Sequence, residues 1–427
     1  MNYRTQVTSG NGGRSVELET SAFAFASDLA GEGVDAVLAN LQERAGVGSI
    51  TPAFSYHAAR DVFPHNPVAK VQLLDRGEVF FPPDPSLYEG LRISPRVSGL
   101  ARERDVLAET CRTAAKRGMQ VHAWTVFLHA DRPGEYSDCV TRNVFGDPYP
   151  ADLCPAHPDV RAYARALVAD VARYEVASIT AESLHYQALE HGYHHERYFL
   201  ELGARARYLL GLCFCDHCLA RARRAGVDTT AVTGAVRREL ERVFDDRHAA
   251  VDGELARADL RDVAGGELEA YLRVRADVVT SLVAEAAEVA SAAGRRFVFM
   301  DPSGAVKGYA TGRPSGGPAA ASSWRLGVEL ESIGPVCDGF SVLAYAAEPV
   351  RVRYDLEAYQ SAVKDRPLAV CLRPSPPDCE APENLAAKLA VARELGVASV
   401  HFYHYGFVRL EALDWIRTAL DQATGGG

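Results

Sequence analysis

Eight short apolar runs rich in β-branched residues recur along this chain, each followed by a stretch of helical periodicity, and that alternation leaves few folds open. The runs fall at residues 16–25, 49–56, 120–128, 176–181, 296–300, 339–345, 367–372 and 398–403. Helical patterns fit at 34–44, 99–116, 158–174, 198–293, 326–333, 352–364, 382–395 and 410–423. Gly118, Gly294 and Gly396 each end a helical pattern just ahead of a strand, where helix-stopping glycines belong. Eight strand–helix units predict an α/β fold, the (β/α)8 TIM barrel, with functional groups at the carboxyl ends of its strands. An open doubly wound sheet would carry a glycine-rich phosphate turn after an early strand, and this chain has none.

Two long connections enlarge the expected barrel, one after the second strand and one after the fourth. Residues 57–98 are proline-rich with a hairpin turn at Asp75-Arg76-Gly77, and residues 184–295 read as an inserted, mostly helical subdomain. Residues 301–323, rich in Gly, Pro, Ala and Ser, read as a mobile loop over the fifth strand. With no repeat and no linker, 1–427 reads as one elaborated domain. A net charge of −10 with dispersed arginines argues against nucleic acid and anionic membranes as partners, leaving a small polar molecule. No apolar run approaches about 18 residues and the first 14 carry no leader pattern, so a cytoplasmic protein is expected, with self-association left open.

The barrel prediction gathers one set of side chains into a single pocket. His57 and Arg60 follow the second strand; Trp124 and His129 lie at the third; Glu182 and His185 at the fourth; Asp301 at the fifth. Tyr345 follows at the sixth, Arg373 at the seventh, and His401 and Tyr403 at the eighth. Aromatic faces with hydrogen-bonding carboxylates suit a sugar ring, which stacks through its C–H faces and bonds through its hydroxyls. Glycoside cleavage needs an acid for the leaving oxygen and a second carboxylate to attack or to activate water, and Glu182 with Asp301 is the expected pair. Either carboxylate also suits a plain helix cap or arginine partner, and Asp301-Pro302-Ser303-Gly304 is a good turn sequence.

Nine cysteines is an odd number, and three of them crowd into Cys213-Phe214-Cys215-Asp216-His217-Cys218. Three thiolates in six residues make a half-site for structural zinc. Cys154 or Cys139, both after the third strand, supplies the fourth ligand, with Asp216 and His217 as weaker choices; three packed thiols are the plain alternative. His191, His194, His195 and Glu196 form a second cluster, read either as a metal or substrate loop or as an exposed helix start.

Residues 153–161, Leu-Cys-Pro-Ala-His-Pro-Asp-Val-Arg, followed by a helix and the strand ending in Glu182, resemble barrel glycoside hydrolases. Cys213-x-Cys215-x-x-Cys218 resembles the zinc-binding cysteine cluster of family 42 β-galactosidases, which follows the acid/base glutamate at strand four. The segments 55–67, 191–196 and 401–406 look like a less characterised group of hydrolase-like barrels. The resemblance implies a general acid at Glu182 and a structural zinc. It departs at two points: Ala181 stands where family 42 has Asn, and strand seven ends in Arg373-Pro374-Ser375 where that family has its nucleophile. A glycoside hydrolase is therefore the leading expectation. A metal-dependent sugar isomerase, epimerase or lyase and a non-catalytic sugar-binding barrel are the alternatives.

Overall fold

A computed structural model describes residues 18–424 apart from 75–76, 131–134, 191–196, 198, 252 and 309–310. Eight parallel strands form a closed barrel: β1 (Glu19–Ala24), β2 (Ser49–Tyr56), β3 (Gln120–Val126), β4 (Ser178–Glu182), β5 (Arg296–Asp301), β6 (Gly339–Leu343), β7 (Leu368–Leu372) and β8 (Ser399–Phe402). Each pairs with its sequence neighbour, and β1 closes the ring by pairing with both β2 and β8. This is the predicted TIM barrel. Gly118 and Gly294 adopt φ of 69° and 72°, a conformation costly for any side chain, and turn the chain from helix into β3 and β5.

Alternation along the strands divides the lumen into two layers. The lower layer is polar. His122 bonds Ser178 at 2.8 Å and Glu19 at 2.7 Å, Ser21 bonds Thr51 at 2.7 Å, and His401 lies 3.3 Å from Thr51 and 3.2 Å from Ser399. The upper layer is aromatic: Phe23 meets Trp124 edge-on at 5.0 Å, and Tyr403 lies 5.7 Å from Tyr345. Polar groups at the amino end are mutually satisfied and lock the barrel, while rings at the carboxyl end floor an opening.

Outside the barrel, several expected elements differ. The helix expected at 99–116 is two, Gly99–Glu103 and Val106–Lys116, because Arg104 is extended and the Asp105 carboxylate accepts from Ala108 N to start the second. Among the described residues the helical region after β4 contains the α-helices Gly203–Leu210, Asp216–Arg224, Thr229–Asp245 and Gly266–Ala292, around a small core that includes Leu209, Val232, Val236 and Leu240. A hairpin, Val140–Arg142 with Pro148–Leu153, follows β3 where only a loop is expected. Another, Ala59–Val62 with Val71–Leu74, follows β2; Asp75 and Arg76 of the expected turn lie outside the described residues. The 301–323 stretch contains a short helix, Ser303–Gly308, and most of a 3-10 segment, Ala319–Leu326. No helix among the described residues is long and apolar enough to cross a membrane.

Candidate active site

At the carboxyl end of the barrel a cavity of about 440 Å³ opens above the aromatic layer. Its floor is Phe23, Trp124, Tyr345 and Tyr403, with His57 and Tyr56 at one wall and Met300 and Leu326 at another. Glu182 enters it from the last residue of β4. Immediately after, Ser183 turns through φ of 56°, a left-handed conformation uncommon outside glycine, and it too lines the cavity. Two ladder-like bonds, Phe127 N to Glu182 O at 3.0 Å and Leu128 N to Ser183 O at 3.2 Å, hold that turn against the end of β3.

The Glu182 carboxyl receives a hydrogen bond from the Trp124 indole, Nε1 to Oε2 at 2.6 Å. Burial among rings disfavours its charge and pushes its pKa up to about 7, against the smaller opposing effect of the Trp124 bond. A carboxyl group with that pKa keeps a substantial protonated fraction near neutrality and can donate that proton to a bound oxygen.

Asp301 does not line this cavity. Met300 does, and successive residues of a strand face opposite ways, so Asp301 points outward to the helical layer. There it accepts from Ser303 N at 3.1 Å, Ser303 Oγ at 2.7 Å, Ser323 Oγ at 2.5 Å and Tyr359 OH at 2.9 Å. Such a fully bonded carboxylate anchors the turn after β5 and the 319–326 segment. The second carboxylate lining the cavity is Glu190, on the loop after β4, salt-bridged to Arg207 at 3.0 Å. No strand register points to a loop position, so nothing in the local sequence pattern singles out Glu190.

Of the other expected substrate contacts, His57, Trp124, Tyr345 and Tyr403 line the cavity. His129 lies just behind, stacked on His57 at 4.4 Å, and His185 is buried with Nδ1 2.7 Å from Tyr186 O. Arg373 sits at the end of β7 over the Tyr345 ring at 4.6 Å and is clamped by Asp378 through bonds of 2.5 and 2.6 Å. His401 belongs to the polar layer below, where burial pushes its pKa down to about 3 and keeps it neutral. Arg60 is exposed on the hairpin after β2. His194 and His195 lie outside the described residues, as do His191 and Glu196.

Away from the cavity, Cys154, Cys213, Cys215 and Cys218 converge, all four buried, with their sulfurs within 4.8 Å of one another. Cys154 lies 3.5 Å from both Cys215 and Cys218 and 3.9 Å from Cys213. Four sulfurs about 2.3 Å from a tetrahedral zinc would be about 3.8 Å apart, so the donors fit a metal of that kind. Cys154 is thus the fourth member; Cys139 sits 3.8 Å from His157 Nε2, and Asp216 is exposed. The hairpin after β3 brings Cys154 to the insertion, and Tyr271 OH bonds Cys213 O at 2.5 Å from the long helix.

No family model matches the chain, and no curated protein matches it in sequence. Among solved structures it is similar to the β-galactosidase of the Antarctic haloarchaeon Halorubrum lacusprofundi, at 15% identity and a TM-score of 0.55 over 96% of this chain and 59% of that one. The β-galactosidase of the psychrophilic Marinomonas ef1 gives 12% and 0.53 over 95% and 59%. The catalytic domain of the β-amylase of Paenibacillus polymyxa gives 9% and 0.52 over 94% and 95%. The chain spans about 59% of the length of those two β-galactosidases. At these identities the likeness shows the fold.

Proposed function

We propose that this chain is a carbohydrate-active enzyme that hydrolyses a glycosidic bond, with Glu182 as its general acid. The observation carrying this reading is a carboxyl group of pKa about 7, bonded to an indole, at the floor of an aromatic-lined cavity. Tyr403 and His57, only half-buried, offer rings to a sugar, with the buried Trp124 and Tyr345 packed behind them. Glu182 gives its proton to the glycosidic oxygen as the bond to the anomeric carbon breaks. A water molecule adds to that carbon and loses its proton to Glu190, which Arg207 keeps oriented. The products are a free sugar and the released alcohol. Two β-galactosidases and a β-amylase on the same fold support a carbohydrate substrate by analogy alone.

The end of β7 argues for direct attack by water, because the acid bonded there, Asp378, has both oxygens on Arg373. The metal-dependent isomerase reading gains no ligand set: among the described residues, the groups of three or more metal-capable side chains are the four cysteines and Asp138, Cys139 and His157, and neither lines the cavity. We assign the cysteine cluster to structural zinc, which would tie the insertion after β4 to the hairpin after β3 and would take no part in the reaction. The test is a panel of alkyl glycosides and disaccharides, both anomers, with wild type and Glu182→Gln. Turnover of a member by wild type alone, unaffected by chelator, supports the reading. No turnover of any glycoside, or full activity in the variant, overturns it.

A further inference from the structure

A second cavity of about 430 Å³ shares the lining residues Gln187, Ala188, Glu190 and Leu326 with the first, so the two adjoin. Its lining differs sharply in chemistry. Arg207, Arg275 and Arg325 face it, with Glu190 as the one carboxylate among the described lining residues. Glu190 pairs with Arg207 at 3.0 Å, and Glu254 and Glu190 both act on Arg325 through their charge, so among the described lining residues guanidinium groups outnumber carboxylates three to one. This local excess is set into a chain whose net charge is −10.

Those two arginines are held as if for a missing acceptor. Arg275 is only 4% exposed; it lies over the Tyr186 ring at 4.3 Å and gives Nη1 to Arg325 O at 2.8 Å. Arg325 gives Nη2 to Leu255 O at 2.6 Å. Among the described residues, the Nε–H of each is buried with no hydrogen-bond partner, as are the Tyr208 hydroxyl and the Gln187 amide nitrogen. Four buried donors on residues that line one cavity form a cluster with a common preference for an acceptor. All four can donate. An acceptor with several lone pairs and negative charge would match them, the description of a carboxylate, sulfate or phosphate group.

We propose that this cavity is an anion subsite of the active site, so that the substrate is an acidic glycoside whose carboxylate or sulfate is held by Arg275, Arg325, Tyr208 and Gln187. The inference rests on the glycosidase reading of the adjoining cavity. Burial works against charge on Arg325, pushing its pKa down, and raises that of the Tyr208 phenol to about 12; an arriving anion relieves the first, and the second keeps the hydroxyl a donor. Asp301 gains a use here as well. Its bonds to Ser303 and Ser323 fix two segments that line this cavity, including the one presenting Arg325, which makes it a positioning residue for the subsite.

The test is calorimetric titration of the full chain with glucuronate and galacturonate, each beside its neutral sugar, and with sodium sulfate. The uronates should bind at least about 10-fold tighter than glucose and galactose, a difference of about 1.4 kcal/mol. Arg325→Gln should bring that ratio near one while leaving neutral-sugar affinity within about two-fold, and Tyr208→Phe, which keeps the shape, should lower it part of the way. A sulfated sugar that outcompetes its parent where uronates do not would assign the anion as a sulfate ester and support the subsite. Equal binding of acidic and neutral sugars overturns it, as does sulfate binding with no preference for any sugar-borne anion. An acidic preference in a protein whose Glu182→Gln variant still turns over would fault the assignment of Glu182 and leave the subsite standing; a dead variant without acidic preference would do the reverse.

Discussion

The Trp124 indole donates to the Glu182 carboxyl at 2.6 Å, and the two come from neighbouring strands whose registers put Thr180 opposite Trp124 and Glu182 opposite Val126. The bond favours the charged form of Glu182, in opposition to burial. Replacing Trp124 with Phe removes it. The basic limb of the kcat/KM profile should then move to higher pH. A limb that stays in place would mean that Trp124 does not tune this group.

Glu182 also links stability to pH. Its folded pKa of about 7 lies above the ordinary value of 4.5, so between those values the folded chain binds more protons than the unfolded one. Its contribution is therefore lost as pH rises through the folded pKa. Asp28, raised to about 7 by burial, acts in the same direction, whereas buried His401 and His404, with lowered pKa values, act oppositely. The informative quantity is the difference between proteins: Glu182→Gln should gain Tm relative to wild type on going from pH 5 to pH 8. A pH-independent difference would place the Glu182 pKa near its unfolded value.

Asp301→Asn should weaken the fold more than the chemistry. The amide keeps one acceptor oxygen and turns its NH2 toward donors now held by Ser303, Ser323 and Tyr359. We expect a loss of about 1–3 kcal/mol in urea unfolding, with a higher KM and kcat reduced less than in Glu182→Gln. A loss of kcat equal to that of Glu182→Gln with unchanged stability would make Asp301 a reacting group.

Zinc removal should act on stability first. About one zinc per chain is expected by elemental analysis, absent in Cys215→Ser, with Tm falling on chelation while kcat of the protein still folded persists. Metal-free protein of ordinary stability would leave these as packed thiols.

The barrel was legible because its strands announce themselves: β-branched runs, glycine stops such as Gly118 and a period that changes from two to 3.6. Glu182 was legible for the same reason, as the polar residue ending such a run. The face of Asp301 was not. Met300 and Asp301 are adjacent, and only tertiary packing decides which of two successive residues looks inward. The hairpin Val140–Arg142 with Pro148–Leu153 was hidden by its prolines, which argue against a strand. The arginine-lined cavity joins residues from 187 to 326 across helices, and no local pattern connects Arg207, Arg275 and Arg325.

The stereochemical outcome follows from where the second carboxylate sits. With Glu190 as base and water attacking directly, the first-formed sugar should have the opposite anomeric configuration to the substrate, read by proton NMR before mutarotation. Retention would require a nucleophile other than the one assigned.

The most direct test of Glu182 as the general acid is the dependence of Glu182→Gln on the leaving group. A good leaving group departs without a proton, so the variant should keep activity within about 10-fold of wild type on 2,4-dinitrophenyl glycosides while losing about 10²- to 10⁴-fold on the matching alkyl glycosides. An equal loss on both, or none on either, would contradict the assignment.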